Sequence, residues 1–267
     1  MMSPQHSLSG KRFLVTRPEG QGDRLVQGIR ALGGHVAQMP FLAIEPADDL
    51  TALQQIANRL TEYRACIFIS ANAVSVAWPV LSAAHPLGWP VAVTAAAIGP
   101  GTAHVLRSYG IPKVVLPESA FDSEGLLAEA FFTEVACRGQ VFALIRGEGG
   151  RDFLAQSLRA RGARVDEAAV YHRQLHPAAL QALQVWCNPE LEPGVLLISS
   201  SESLQRVISA ASADLARALK ACLVLAPHPR IAEVARQLGF KQVATTSGGD
   251  EGMLRYLQTY NVLTSPE

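Results

Sequence analysis

The chain is short of net charge, of cysteine pairs and of long apolar runs, and each shortage excludes a class. Lysine plus arginine number 23 and aspartate plus glutamate 23 in 267 residues, so the formal net charge is zero. A nucleic-acid binder ordinarily carries a basic excess, which sets that class aside. The four cysteines, Cys66, Cys137, Cys187 and Cys222, show no CxxC spacing, and the pattern suits buried thiols in a reducing cytoplasm. No apolar run approaches the ~18 residues of a membrane span. The opening MMSPQHSLSGKR lacks the apolar core of a signal peptide. Glycine fingerprints are missing too. Gly20-Gln21-Gly22-Asp23-Arg24-Leu25 has no third glycine, and no acid ends the second strand near Met39, so a dinucleotide site fails. No GxxxxGK[ST] loop occurs. Among seven histidines, His172 and His176 alone stand at i, i+4, on an extended stretch before Pro177 where the rings share no helical face. Neither a metal nor a cofactor is expected.

What is present is core. Hydrophobic residues make up 49% and charged residues 17%, enough for about two domains at ~150 residues each. The chain also repeats itself. Residues 13–25 read FLVTRPEGQGDRL and residues 143–154 read ALIRGEGGRDFL. A shift of 129 positions lays Phe13 on Phe142, Arg17 on Arg146, Glu19 on Glu148, Gly20 on Gly149, Asp23 on Asp152 and Gly33 on Gly162. The same shift lays FISANAV on LISSSES. AIGPGTAHVLRSYG echoes VLAPHPRIAEVARQLG with a small insertion, and SEGLL echoes DEGML. A repeat this long predicts two copies of one structural unit.

Short aliphatic runs alternate with amphipathic stretches. Strands are predicted over 12–16, 65–70, 91–98, 113–116, 141–146, 194–199, 223–226 and 242–245, each closed by a turn residue. Helices are predicted between them. Leu25, Ile29 and Leu32 keep helical spacing before Gly33, and Leu50, Leu53, Ile56 and Leu60 do so after Asp48 or Asp49 as cap. This alternation implies α/β architecture with parallel sheets. Residues 39–46 and 167–174 read as extended bridges between the two copies.

In an open parallel sheet, ligands bind at the carboxyl ends of the strands, where helices begin. Six such ends stand out: Thr16-Arg17-Pro18-Glu19, Ser70-Ala71-Asn72, Gly99-Pro100-Gly101-Thr102, Arg146-Gly147-Glu148-Gly149, Ser199-Ser200-Ser201 and Ala226-Pro227-His228. Free amides at helix starts favour anions by ~0.3–1 kcal/mol each. Ser70, Asn72, Thr102 and Ser201 are also expected to cap their helices. Arg17 and Arg146 either pair with the Glu two residues on or offer a guanidinium fork to carboxylates. Tyr171, on the second bridge, is expected to face the gap between the copies, either as a packing ring or as a proton donor.

Taken together, VTRPEGQGDRLVQGIRALGGHV, FISANAV, AIGPGTAHVL, SEGLL, LIRGEGGRDFLAQSLRARGARVDEAAVYHR and LLISSSES resemble uroporphyrinogen-III synthases over residues 13–257. The resemblance implies two similar parallel-sheet α/β domains joined by a two-stranded connector. Residues 1–40 and 175–267 would form one domain and 41–174 the other. It also implies the cyclisation of hydroxymethylbilane to uroporphyrinogen III, a tetrapyrrole carrying eight carboxylates, with loss of water and inversion of ring D. The implied enzyme is a cytoplasmic, monomeric lyase that needs no cofactor or metal. Tyr171 matches the motif tyrosine that would donate a proton to the leaving group. Thr102, Ser70 and Ser199 match hydroxyl positions. Ala226-Pro227-His228-Pro229-Arg230 departs by lacking a threonine, leaving His228 or backbone amides in that place. The rivals from the residues alone are a non-catalytic two-lobed α/β protein closing on a small anion and a nucleotide-dependent enzyme.

Overall fold

The computed structural model describes residues 8–17, 22–246 and 249–264. The chain divides into two compact units, Met1–Ala43 with Gln174–Glu267, and Ile44–Arg173.

The first unit contains β1 (Arg12–Val15), α1 (Asp23–Ala31) and β2 (His35–Gln38), and β3 (Leu42–Pro46) begins at its boundary. The second unit runs through α2 (Thr51–Asn58), β4 (Ala65–Phe68), α3 (Ala71–Ala84), β5 (Thr94–Ala97), α4 (Pro100–Ser108), β6 (Val114–Val115), α5 (Ser123–Ala128), α6 (Glu134–Cys137), β7 (Val141–Gly147), α7 (Phe153–Ala160) and β8 (Arg164–Leu175). The first unit resumes with α8 (Ala179–Trp186), β9 (Val195–Leu197), α9 (Ser201–Ala210), α10 (Ala213–Ala221), β10 (Leu223–Ala226), α11 (Pro229–Gln237), β11 (Gln242–Thr245) and α12 (Gly249–Thr264).

Strand order is β11-β10-β9-β1-β2 in one sheet and β3-β8-β7-β4-β5-β6 in the other. The ladders among β1, β2, β9, β10 and β11 are parallel, as are those among β4 to β8. The Ala47 amide donates to the Val170 carbonyl and the His176 amide to the Phe41 carbonyl, both at 2.9 Å, so β3 runs antiparallel to β8.

The repeat becomes physical here. Phe13 pairs with Val36 and Phe142 with Val165, the same pair under the shift, whereas Val15 pairs with Leu197 and its counterpart Leu144 with Ile67, one residue before the Phe68 that the shift would give. The shift of 129 relates β1 to β7, β2 to β8, β4 to β9, β5 to β10 and β6 to β11. It also carries Ala97 to Ala226 and Gly110 to Gly239, so the insertion expected between those two segments is absent. Each unit therefore takes its first two strands from one repeat and its last three from the other. Read in the repeat's own order, both sheets are 2-1-3-4-5, a doubly wound arrangement.

Period-two burial explains why both faces are covered. In β4 all four residues are buried, and Cys66 and Phe68 pack on one face while Ala65 and Ile67 pack on the other. In β1, Leu14 faces one core and Phe13 and Val15 the opposite one. A strand buried on both faces reads as a continuous apolar run, and these do. Gly33 and Gly162 end α1 and α7 with φ of 84° and 80°, the left-handed turn that glycine adopts without strain.

Some sequence expectations shift. The strand predicted from residue 91 starts at Thr94, because Val93 is drawn into a turn by its amide bond to the Pro90 carbonyl at 3.0 Å. Leu50 holds the cap position of α2, while Asp49 accepts from the Thr51 amide at 2.8 Å.

Candidate functional site

In the 2-1-3-4-5 order the chain reverses direction across the sheet between its first and third strands, the customary ligand position. In the second unit that place lies between β7 and β4. Ile69 follows β4 and its amide donates to the Ile145 carbonyl at 3.0 Å, which sets Ser70 at the strand end. Ser70 adopts an extended backbone and its Oγ accepts from the Ala73 amide at 3.1 Å, capping α3. The same oxygen lies 3.0 Å from the Tyr171 hydroxyl.

Tyr171 reaches it through a break in the ladder. Arg146 pairs with Ala169, but Gly147 pairs with Tyr171, so β8 carries one extra residue there. A bulge of this kind re-aims a side chain. Val170 and Tyr171 are consecutively buried in consequence, and the regular in-out alternation fails. The ring closes over Gly147: a Cβ at that position would meet Tyr171 Cζ at 2.5 Å. Here the glycine is required by close approach, not by its backbone angle.

Tyr171 is expected from the sequence to face the gap between the copies, as a packing ring or as a proton donor, and its surroundings are those of a packing ring. The residue is 1% exposed and belongs to the core cluster of the second unit, because the bulge turns it inward against Gly147. Its hydroxyl is met by Arg173, whose Nη2 donates to it at 3.0 Å and whose guanidinium carbon lies 5.4 Å from the ring centre. Sequence reasoning missed Arg173. The available signal was its position two residues beyond Tyr171, on the same face of an extended strand.

Arg146 is the last residue but one of β7, beside this cluster. It pairs with Asp152 at 2.8 Å and with Glu167 at 3.4 Å rather than with the expected Glu148. Glu148 instead engages through its backbone, its amide donating to the Tyr171 carbonyl at 2.7 Å. Gly99 caps α4 with Pro100 in its first turn, and Thr102 is buried inside that helix at 7% exposure. Asn72 likewise lies inside the first turn of α3. The capping expected of Asn72 and Thr102 belongs to Ser70 and Gly99, since a cap must precede the helical residues.

The corresponding ends in the first unit carry the remaining candidates. Arg17 pairs with Asp250 at 2.7 Å; Pro18, Glu19 and Gly20 lie outside the described residues. Thr16 Oγ1 donates to the Leu197 carbonyl at 2.9 Å. Ser199 follows β9, and Ser200, not Ser201, caps α9 by accepting from the Ser203 amide at 3.2 Å. Pro227 precedes His228, whose Nδ1 accepts from the Arg230 amide at 3.1 Å and caps α11. Three of the named residues, Ser70, Gly147 and Tyr171, are in direct contact, with Arg146 next to Gly147 in β7. Burial pushes the Cys66 thiol up, which keeps it neutral and makes it a packing group rather than a nucleophile. No group of three or more metal-ligating side chains occurs among the described residues. His172 faces Glu45 at 3.7 Å, and His176 accepts from the Ala178 amide at 3.2 Å.

The fold defines a duplicated, doubly wound α/β protein whose strand ends gather hydroxyls, arginines and helix starts. Comparison with known proteins makes this specific. The family model for uroporphyrinogen-III synthase HemD matches residues 23–254. The uroporphyrinogen-III synthase of Salmonella typhimurium is 31% identical over 92% of this chain and 99% of its own length. That of Escherichia coli is 29% identical over the same shares. A uroporphyrinogen-III synthetase structure from Helicobacter pylori superimposes with a TM-score of 0.60 over 94% of this chain and 99% of its own, at 13% identity. A mutant uroporphyrinogen III synthase of Thermus thermophilus does so with a TM-score of 0.58 over 96% and 100%, at 16% identity. These two structures bear on the fold. The chain belongs to the uroporphyrinogen-III synthase family and is an enzyme, a cyclising hydro-lyase acting on a tetrapyrrole. The non-catalytic binder and the nucleotide-dependent enzyme are not favoured.

Proposed function

We propose that this chain closes hydroxymethylbilane to uroporphyrinogen III with Tyr171 as the source of the proton that lets hydroxide leave as water. The observation that carries this role is the pairing of a buried phenol with a guanidinium at 3.0 Å. Arg173 stabilises the negative charge that builds on the phenol oxygen as its proton departs. Departure of water leaves an azafulvene cation, which closes through a spiro intermediate and inverts ring D. For those steps the protein supplies geometry and exclusion of water rather than further side-chain chemistry.

The eight carboxylates of the substrate are bound by helix starts and arginines at the strand ends. In this reading Gly99, Thr102, Asn72, Gly147 and Arg146 serve in the second unit, and Arg17, Ser199, Ser200, Pro227 and His228 in the first. Both arginines already hold internal carboxylates, so a substrate carboxylate exchanges with Asp250 or Asp152. The electrostatic change is then small, and geometry decides the exchange. The reading includes two domains, residues 1–40 with 175–267 and residues 41–174, supported by separate core clusters in each unit. It also includes action as a cytoplasmic monomer. The four free cysteines and the absence, among the described residues, of a helix long and apolar enough to cross a membrane support that setting.

The test supplies hydroxymethylbilane to the purified protein and resolves the products by chromatography. The III isomer is expected. The I isomer alone, which forms spontaneously, would overturn the assignment.

A further inference from the structure

The hydrogen bonds around Tyr171 have a direction, and the direction points to a second hydroxyl. A guanidinium has donors and no acceptor, so the phenol oxygen must accept from Arg173 Nη2. The phenolic hydrogen is therefore aimed elsewhere, and Ser70 Oγ stands 3.0 Å away. Ser70 Oγ already accepts from the Ala73 amide at 3.1 Å. A serine hydroxyl has two acceptor positions and one donor. With the Ala73 amide and Tyr171 occupying the acceptor positions, the serine hydrogen is left to point outward. Burial orders the pair in the same way: Tyr171 is 1% exposed, whereas Ser70 is only partly buried. A phenol sealed against Gly147 and roofed by its own core is closed to a substrate, whereas the partly exposed serine at the strand end is the member of the pair that a substrate can reach.

We propose that Ser70 is the catalytic residue that hands the proton to the departing hydroxyl, and that Tyr171 refills it under the direction of Arg173. This rests on the reading of Tyr171 as the proton source. In the step, the bond between the methylene carbon and its hydroxyl oxygen breaks and the electron pair stays on oxygen. That oxygen takes the Ser70 hydrogen and leaves as water. The phenolic hydrogen moves to Ser70 Oγ, and the negative charge rests on Tyr171 beside the Arg173 cation. The azafulvene cation later sheds one proton as the macrocycle closes and its pyrrole regains aromaticity. That proton returns through Ser70 to Tyr171, so the relay is reset without an outside acid. Arg173 acts as a positioning residue, because its donor keeps the phenolic hydrogen turned toward the serine.

The experiment is single-turnover formation of the III isomer from hydroxymethylbilane by Ser70→Ala, Ser70→Asn, Tyr171→Phe, the Ser70→Ala/Tyr171→Phe double variant, Arg173→Ala and Arg173→Lys. Asparagine keeps an N-cap but has no hydroxyl, so Ser70→Asn holds the helix start if the alanine variant unfolds. Both serine variants and Tyr171→Phe are expected to lose ~10²-fold in rate with KM little changed. The double variant is expected to be no slower than its parents, because one relay is lost only once. Arg173→Lys is expected to recover most of the rate that Arg173→Ala loses. A wild-type rate in Ser70→Asn with a slow Tyr171→Phe would overturn the relay and leave Tyr171 acting directly. Multiplied losses in the double variant would also overturn it. A wild-type rate in Tyr171→Phe would instead remove the proton source on which the relay rests, while the III isomer from the unsubstituted protein would still stand.

Discussion

The switch points of the two units began as copies and now differ in kind. The shift of 129 brings Arg17 onto Arg146, Ser199 onto Ser70 and Gln38 onto Glu167, but it brings Leu42 onto Tyr171 and Ile44 onto Arg173. Between β1 and β2 the register runs evenly from Arg12–His35 to Val15–Gln38, with the Met39 amide continuing to the Val15 carbonyl at 3.0 Å. Between β7 and β8 it slips after Arg146, at Gly147, whose counterpart Pro18 lies outside the described residues. Even the capping serine has moved by one residue, from Ser70 in one copy to Ser200, beyond the Ser199 position, in the other. The scaffold, its glycine stops and its strand-end arginine are shared, whereas the phenol and the guanidinium that meets it belong to one copy. A duplicated fold can thus keep two anion-facing rims while only one acquires acid–base chemistry.

The sharpest way to break this contrast is at Gly147. Gly147→Ala places a methyl group 2.5 Å from Tyr171 Cζ. The ring must move, and the rate of III-isomer formation is expected to fall ~10²-fold because the Ser70 contact is lost. Overpacking also costs about 1–3 kcal/mol, read as a melting point lower by roughly 3–10 °C. Unchanged activity and melting would show that the ring and the glycine are not interlocked.

A medium effect is expected from the shared arginines. Arg17→Ala and Arg146→Ala each remove a charge-assisted contact to a substrate carboxylate, so each is expected to raise KM about tenfold with kcat little altered. Steady-state kinetics on hydroxymethylbilane would check this. A normal KM in Arg17→Ala alone would take Arg17 out of substrate recognition and sharpen the asymmetry between the two arginines.

The smallest effect concerns pH. Burial pushes up the Cys66 thiol, and burial with a hydrogen bond to Asp166 pushes up the Tyr63 phenol, both in the second unit. A group that holds its proton more tightly when folded stabilises the fold fully below its unfolded pKa, and that stability is lost as pH rises toward the folded value. Melting points are therefore expected to fall as pH rises past the ordinary thiol range and then the phenol range. Cys66→Ala is expected to flatten the early part of the decline, and an unaltered slope would deny the thiol that role.

The strands and the repeat were legible because two-sided burial leaves unbroken apolar runs such as Ala65–Phe68 and Leu223–Ala226. The strand-end hydroxyls were legible for the same reason, since the turn after such a run is where a small polar residue can cap the next helix. Two things were not. The bulge before Tyr171 leaves no mark in VDEAAVYHR, because it depends on how that strand sits against β7. The internal partners of Arg146 were hidden too: Asp152 and Glu167 lie six and twenty-one residues further on, and only the parallel pairing of β7 with β8 brings Glu167 alongside.

The exchange of strands between repeats also sets an order of events at the ribosome. Residues 44–173 of the second unit emerge as one continuous stretch and hold every strand of their sheet but β3's opening residues and the end of β8. The β1-α1-β2 segment is made first, yet its neighbour β9 begins only at Val195. At a synthesis rate of 5–20 residues per second, β1, already beside β2, waits roughly ten to thirty seconds for its second neighbour. During that interval the β9-facing edge of β1 stays open, although in the finished sheet β1 lies between β9 and the edge strand β2.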